Sequence, residues 1–234
     1  MHAPNNRHFA EWHGRTPPVF TYKPPADEGL VILNQDDDLL LVDKPAGLLS
    51  VPGKAADHAD CLEARVKTAF PQALLVHRLD LDTSGIMVFA MNSAAQRHLG
   101  LQFERRHIEK RYVARVAGHV TTPIGQIDLP LICDWPNRPL QKVDWEQGKN
   151  AQTRFEVLSK EGEATRLALF PKTGRSHQLR VHCLALGHPI LGDPFYAPPE
   201  QQNAAPRMQL HAETLSLFHP TGGERLVIET TTPF

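Results

Sequence analysis

With 234 residues, 41% of them hydrophobic, the chain can bury one sizeable core, yet no apolar stretch approaches the roughly 20 residues that cross a bilayer. Its 25 Lys+Arg and 26 Asp+Glu leave a formal net charge of -1, which on its own argues against a nucleic-acid partner. Cys61, Cys133 and Cys183 stand far apart with no CxxC pair, which excludes a disulfide framework and a cysteine zinc site and predicts reduced packing thiols. The N-terminus, polar through His2, Asn5, Asn6, Arg7 and His8, lacks a signal-peptide core, so a cytoplasmic protein is expected.

Residues 1–28 carry Pro17-Pro18 and Pro24-Pro25 and show neither helical nor strand periodicity, so they are expected to form a flexible leader before a catalytic domain over 29–234. Order is expected from Leu30-Val31-Ile32-Leu33, followed by a short strand at Leu39-Leu40-Leu41-Val42 that Lys44-Pro45-Ala46-Gly47 ends. Ile86 to Ala90 is a buried-strand run. Asn92 can cap a helix from Ser93 to about Glu104, with Ala95, Leu99 and Phe103 at four-residue spacing. Tyr112 to Val116 returns to strand character, while Asp128 to Gln147, which includes Trp135-Pro136-Asn137-Arg138-Pro139, is an irregular excursion of the kind that touches ligands.

Thr165 to Phe170 is strand-like, and Thr173-Gly174 then turns the chain into a helix capped by Ser176, stopped by Gly187 and buried along Leu179, Cys183 and Leu186. Gln209 to Phe218 and Arg225 to Thr230 close the chain as strands. Many strands, few helices and no regular βα alternation predict an α+β protein with a mixed, largely antiparallel central sheet flanked by helices and loops.

Charge is unevenly spread. Arg97, Arg105, Arg106, Lys110, Arg111 and Arg115 crowd one segment, and Arg166, Lys172, Arg175 and Arg180 another, while Asp27, Glu28, Asp36, Asp37 and Asp38 gather near the front. One basic face for phosphates is therefore compatible with a neutral chain.

The polar segment His77-Arg78-Leu79-Asp80-Leu81-Asp82-Thr83-Ser84-Gly85 directly precedes a buried strand, which places its side chains at a surface on a rigid support. Taken alone, the segment also fits a plain turn in which Asp82, Thr83 and Ser84 satisfy backbone groups and Arg78 pairs with Asp80. His177, His182 and His188 form the nearest thing to a metal cluster, but HExxH and convergent Cys/His spacing are lacking, so no metal is expected.

The segment resembles the signature of RluA-type pseudouridine synthases, and the resemblance continues in order. It runs through Lys44-Pro45-x-Gly47-Leu48, Lys110-x-Tyr112, Gly174-Arg175-Ser176-His177-Gln178-Leu179-Arg180-Val181-His182, Leu186 to Asp193 and Leu210-His211-Ala212. It implies the pseudouridine synthase fold and an isomerase that turns uridine into pseudouridine without a cofactor. Asp80 would be the catalytic carboxylate, attacking C1′ or the uracil ring or stabilising a cleaved intermediate. Tyr112 would stack on the uracil and move a proton, and Arg180 would pair with the aspartate. Arg78 would wedge into the RNA where the uridine leaves it, with His77 and Leu210 completing the RNA-binding set.

Leu48 to Gly53 and Asp128 to Pro139 extend the likeness to members of dual specificity, which implies 23S rRNA and the tRNA anticodon stem-loop as partners of a monomer. Two other readings share some of these features. A non-catalytic RNA-binding module would have a replaced aspartate, and an aspartate-based glycosidase would want a second carboxylate at a defined separation.

Overall fold

A computed structural model describes residues 21–234. In chain order they form β1 (Val31–Gln35), β2 (Leu39–Lys44), α1 (Leu62–Ala69), β3 (Leu74–Leu75), β4 (Ser84–Ala90), α2 (Ser93–Glu104), β5 (Glu109–Ala117), β6 (Ile124–Asp128), β7 (Leu131–Cys133), β8 (Gln141–Val143), β9 (Gln152–Glu161), β10 (Ala164–Pro171), α3 (Gln178–Ala185), α4 (Pro199–Asn203), β11 (Leu210–Phe218) and β12 (Arg225–Glu229). These residues divide into two compact units, Thr21–Arg111 with His211–Phe234, and Tyr112–Leu210. Each is built on sheet with few helices, and the class is α+β, as the strand-rich and irregular order predicts.

In the first unit β4 is buried along its whole length, which is why Ile86 to Ala90 reads as an unbroken apolar run. One edge of β4 pairs antiparallel with β2, from Leu39↔Ala90 to Lys44↔Gly85. The other edge takes β3 antiparallel at Ala90 and β11 parallel at His211↔Ser84 and Ala212↔Gly85, so this sheet is mixed. Gly85 makes that parallel contact possible. Its φ is +114°, and a Cβ there would lie 2.3 Å from the Ala212 carbonyl oxygen.

Helix α2 has the predicted bounds, and the Asn92 side chain accepts from Ala95 N at 2.8 Å as its cap. Ala95 and Leu99 pack into a core with Leu39, Leu41, Ile86, Val88, Leu215 and Leu217, and Phe103 lies against it. Asn92→Ala should cost about 1 kcal/mol, the usual worth of an N-cap, read as a lower urea midpoint with an unchanged slope.

Two features here depart from the sequence expectations. Helix α1 was not expected, because its cap is the Cys61 sulfur, which accepts from Ala64 N at 3.4 Å, and only Leu62 and Val66 are buried. Residues 1–20 of the expected leader lie outside the described residues, but the described part is tied down. The Tyr22 hydroxyl donates to Asp60 O at 2.7 Å and accepts from Leu49 N at 3.1 Å, and Arg65 donates to Pro25 O at 2.7 Å. Side-chain anchors of this kind leave no periodic pattern to read.

In the second unit β6, β9, β10 and the Tyr112–Ala117 part of β5 pair antiparallel in that order. Their core residues Ala114, Val116, Phe155, Leu167 and Leu169 meet Leu179 and Cys183 of α3. Burial of Cys183 pushes its thiol up to about 12, so it packs as an inert side chain. Helix α3 is not striped as expected but buried at every residue. Its second side packs through Val181 and Leu184 onto Leu131, Leu140, Ala151 and Tyr196, and Leu131 belongs to a β7–β8 hairpin inside the segment read as irregular.

Ser176 does not cap this helix. His177 occupies the cap position at φ +52°, and the Gln178 side chain closes the turn by accepting from Arg175 N at 3.0 Å and from the Thr173 hydroxyl at 2.7 Å. Gly187 does stop it, at φ +88°, with His188 N donating back to Cys183 O at 3.0 Å.

Candidate active site

The loop carrying Asp80 is held by two buried side chains of its own unit. Ser50 donates from its hydroxyl to Leu79 O at 2.6 Å and accepts from Leu79 N at 3.1 Å. Lys44 has no exposed surface, and its ammonium donates to Pro45 O, Leu48 O and Leu81 O at 2.9, 2.7 and 3.0 Å. Burying a lysine is costly unless each proton finds an acceptor, and these three carbonyls supply them. The backbone on both sides of Asp80 is thereby fixed, at Leu79 and at Leu81. Gly47 N also donates to Leu81 O at 3.0 Å, and Thr83 N donates to Asp80 O at 3.2 Å.

Thr83 and Ser84 are buried, and Ser84 is bonded to His211 Nδ1 at 2.8 Å. Thr83-Ser84-Gly85 is thus framework, while Asp80 keeps partial exposure. Arg78 beside it is exposed and makes no ion pair among the described residues. The chain does turn here, with Thr83 N closing on Asp80 O, but the pairing of Arg78 with Asp80 is not among the contacts of the described residues.

His77 stacks at 4.9 Å on Phe103, and its Nε2 accepts from Val88 N at 3.1 Å, which puts the ring proton on Nδ1. Burial of the ring, and then the nearby charge of Lys110, push its pKa down to about 3. Any contact His77 makes with a ligand is that of a neutral imidazole. Burial also lowers Lys110.

In the other unit Tyr112 stands on β5 opposite Leu169 and packs, partly buried, on the core cluster that includes Leu210, Leu169 and Leu179. Arg180 is 2% exposed. Asp193 grips it from two sides, Oδ2 on Nε at 2.8 Å and Oδ1 on Nη2 at 2.6 Å, and Phe195 and Tyr196 lie against the guanidinium at 4.9 and 5.1 Å. Burial alone would raise the Asp193 carboxyl. The Arg180 charge, its hydrogen bonds and the Phe195 and Tyr196 amides outweigh that and hold it below the usual carboxylate range.

His182 lies flat in the same framework, bonded through Nδ1 to Thr153 Oγ1 at 2.9 Å and through Nε2 to Leu129 O at 3.2 Å, and burial pushes it down to about 4. His177 Nδ1 meets the Tyr196 hydroxyl at 2.8 Å, and His188 Nδ1 donates to Ala117 O at 2.7 Å. The three histidines of the sequence cluster thus have structural partners of their own.

Residues 38–185 match the family model described as RNA pseudouridylate synthase. The chain is 54% identical over 214 residues to the dual-specificity RNA pseudouridine synthase RluA of Escherichia coli (strain K12), covering 91% of this chain and 98% of that protein. It is 55% identical over 195 residues to the protein of the same name from Yersinia pestis, covering 83% and 95% of the two. Among solved structures, human RNA pseudouridylate synthase domain containing 1 superposes with a TM-score of 0.75 at 31% identity, over 91% of this chain and 87% of that one. Its domain containing 4 counterpart gives 0.71 at 25% identity, over 87% and 88%.

The chain belongs to the RluA-type pseudouridine synthases. It is an RNA pseudouridine synthase, an isomerase, with the fold of that family. Within each unit the candidate residues of this pseudouridine synthase fall together: His77, Arg78 and Asp80 on one loop, and Tyr112, Arg180 and Leu210 on elements around one core. Lys44, Ser50 and Asp193 were not assigned roles from the sequence. All three lie inside stretches that carried the resemblance, and a charged side chain next to an apolar run was the available signal for Lys44 and Asp193. Among the described residues no helix is long and apolar enough to cross a membrane.

Proposed function

We propose that this pseudouridine synthase modifies uridines of two structured RNAs, 23S rRNA and the tRNA anticodon stem-loop, as a cytoplasmic monomer with Asp80 as its catalytic carboxylate. The observation that carries the catalytic assignment is the support of the Asp80 loop, pinned at Leu79 by Ser50 and at Leu81 by Lys44. A carboxylate held so firmly on a partly exposed turn has the preorganisation that bond cleavage needs.

The reaction breaks the bond between C1′ and N1, turns the uracil and joins C1′ to C5, after which the C5 hydrogen leaves as a proton and N1 carries one. Asp80 meets the charge that develops at the sugar as the base detaches. Tyr112 stacks on the uracil and transfers the proton. Arg180, set by Asp193, supplies the positive charge that favours an ionised carboxylate. Arg78, exposed and without an ion pair among the described residues, enters the RNA stack as the uridine turns out, with His77 and Leu210 contacting RNA and base. The dual specificity of the Escherichia coli and Yersinia pestis relatives supports two RNA classes.

Mapping pseudouridines in 23S rRNA and tRNA from cells lacking the gene, with and without the restored chain, tests the substrates. At least one position in each RNA should lose its pseudouridine and regain it. Loss confined to one RNA class would overturn the dual assignment.

A further inference from the structure

Trp135 is 66% exposed, yet it is held out by an ordered turn rather than left on a slack one. It opens the short 3-10 turn Trp135–Asn137 between β7 and β8. Asn137 donates from its side chain to Asp134 Oδ2 at 2.8 Å and from its backbone to Asp134 O at 2.9 Å. Asp134 N donates to Leu140 O at 2.9 Å, and Leu140 N to Asn137 O at 3.0 Å. Leu140 is buried against Val181 and Leu184, the helix residues beside Arg180, and Gln141 N donates to the Tyr196 hydroxyl at 2.8 Å. The guanidinium of Arg138, also exposed, lies 4.6 Å from the centre of the indole.

Displaying an indole on a fixed backbone forgoes the stabilisation its burial would bring, and its ring face is what a nucleobase or an apolar protein surface can cover. The cation over the indole favours a polyanion with aromatic faces over an apolar protein surface.

We propose that Trp135 and Arg138 form a stacking platform for a base unstacked from the single-stranded loop of the RNA substrate, a contact separate from the reacting residues. The platform rests on the reading of this chain as an enzyme acting on structured RNA. The indole takes the base through its face, and the guanidinium meets a phosphate of the same loop. Because Leu140 is packed on α3, the platform and Arg180 are held by one helix, so a base seated on Trp135 positions the RNA with respect to that residue.

The test uses an end-labelled RNA stem-loop with a uridine in its loop. Trp135→Ala should weaken binding about 10-fold, as expected for one stacked base, with the loss falling in KM, and Trp135→Phe should recover most of it. Arg138→Ala should lower the slope of log affinity against log salt by about one phosphate contact. In a chain whose Trp12 and Trp145 are replaced by Phe, the emission of Trp135 should be quenched as the RNA binds. Unchanged affinity in Trp135→Ala, or unchanged Trp135 emission at saturating RNA, overturns the platform and leaves the indole to a protein partner. Binding measured in an Asp80→Asn background separates this result from a failure of the catalytic assignment.

Discussion

Asp80→Asn is expected to abolish pseudouridine formation while RNA binding survives. Asn is nearly isosteric, and the Leu79 and Leu81 backbone that holds the side chain is fixed by Ser50 and Lys44, so the amide should sit where the carboxylate sits. What it cannot supply is the anion. A positioned acid, base or nucleophile contributes roughly 10²–10⁴-fold, and for a residue that carries the chemistry the loss should be at the upper end of that range or beyond it. Tritium release from RNA labelled at uridine C5 measures turnover, and a gel shift with the same RNA measures binding. Turnover near that of the wild type would remove Asp80 from the mechanism, and a loss of binding in parallel with turnover would mean that the substitution had disturbed the loop.

The second large effect concerns the pair that sets Arg180. Asp193→Asn removes the carboxylate that holds the buried Arg180 guanidinium through Nε and Nη2, and breaking a buried pair in this way costs about 3–5 kcal/mol. The folded carboxyl of Asp193 lies below its ordinary value, with Arg180 and the two backbone amides the groups that hold it there against burial. A depressed carboxyl stabilises the fold fully above its unfolded pKa of about 3.9, and that contribution is lost as pH falls through the folded value.

The stability gap between wild type and Asp193→Asn should therefore be full at pH 7 and shrink as pH drops below about 4. Urea unfolding of both proteins at pH 7 and at a series of lower pH values measures it. A gap below about 1 kcal/mol at neutral pH, the size of a surface pair, would show that the two groups are not coupled as their geometry implies. Activity should fall in the variant even where it remains folded, because Arg180 loses the partner that fixes its plane.

Much of this protein is legible in short stretches of sequence. The run Ile86 to Ala90 dictates a strand buried on both faces, and Asn92 with Ala95, Leu99 and Phe103 dictates a capped helix of the observed length. Gly187 stops α3, and the ordered motifs around Asp80, Tyr112 and Arg180 were enough to identify the family. In each case the residues that decide the outcome lie within a turn or two of one another, so neither tertiary contacts nor long loops enter.

The support of the site lies beyond that range. Lys44 reaches a carbonyl 37 residues away at Leu81, Ser50 reaches Leu79 across 29, and Asp193 meets Arg180 across 13. A charged side chain in the sequence looks solvated until the fold shows which acceptors surround it, because the cost of burying it and the gain from pairing it both depend on distant parts of the chain. For the same reason α3 reads as a one-sided helix, although Leu131, Leu140 and Tyr196 cover its other side, and the segment around Tyr22 reads as slack, although Asp60 and Leu49 hold it. Local sequence determined most of the elements and singled out the candidate side chains. Only the tertiary structure decided how those side chains are held, since that depends on hydrogen bonds and charge pairs closed across long loops.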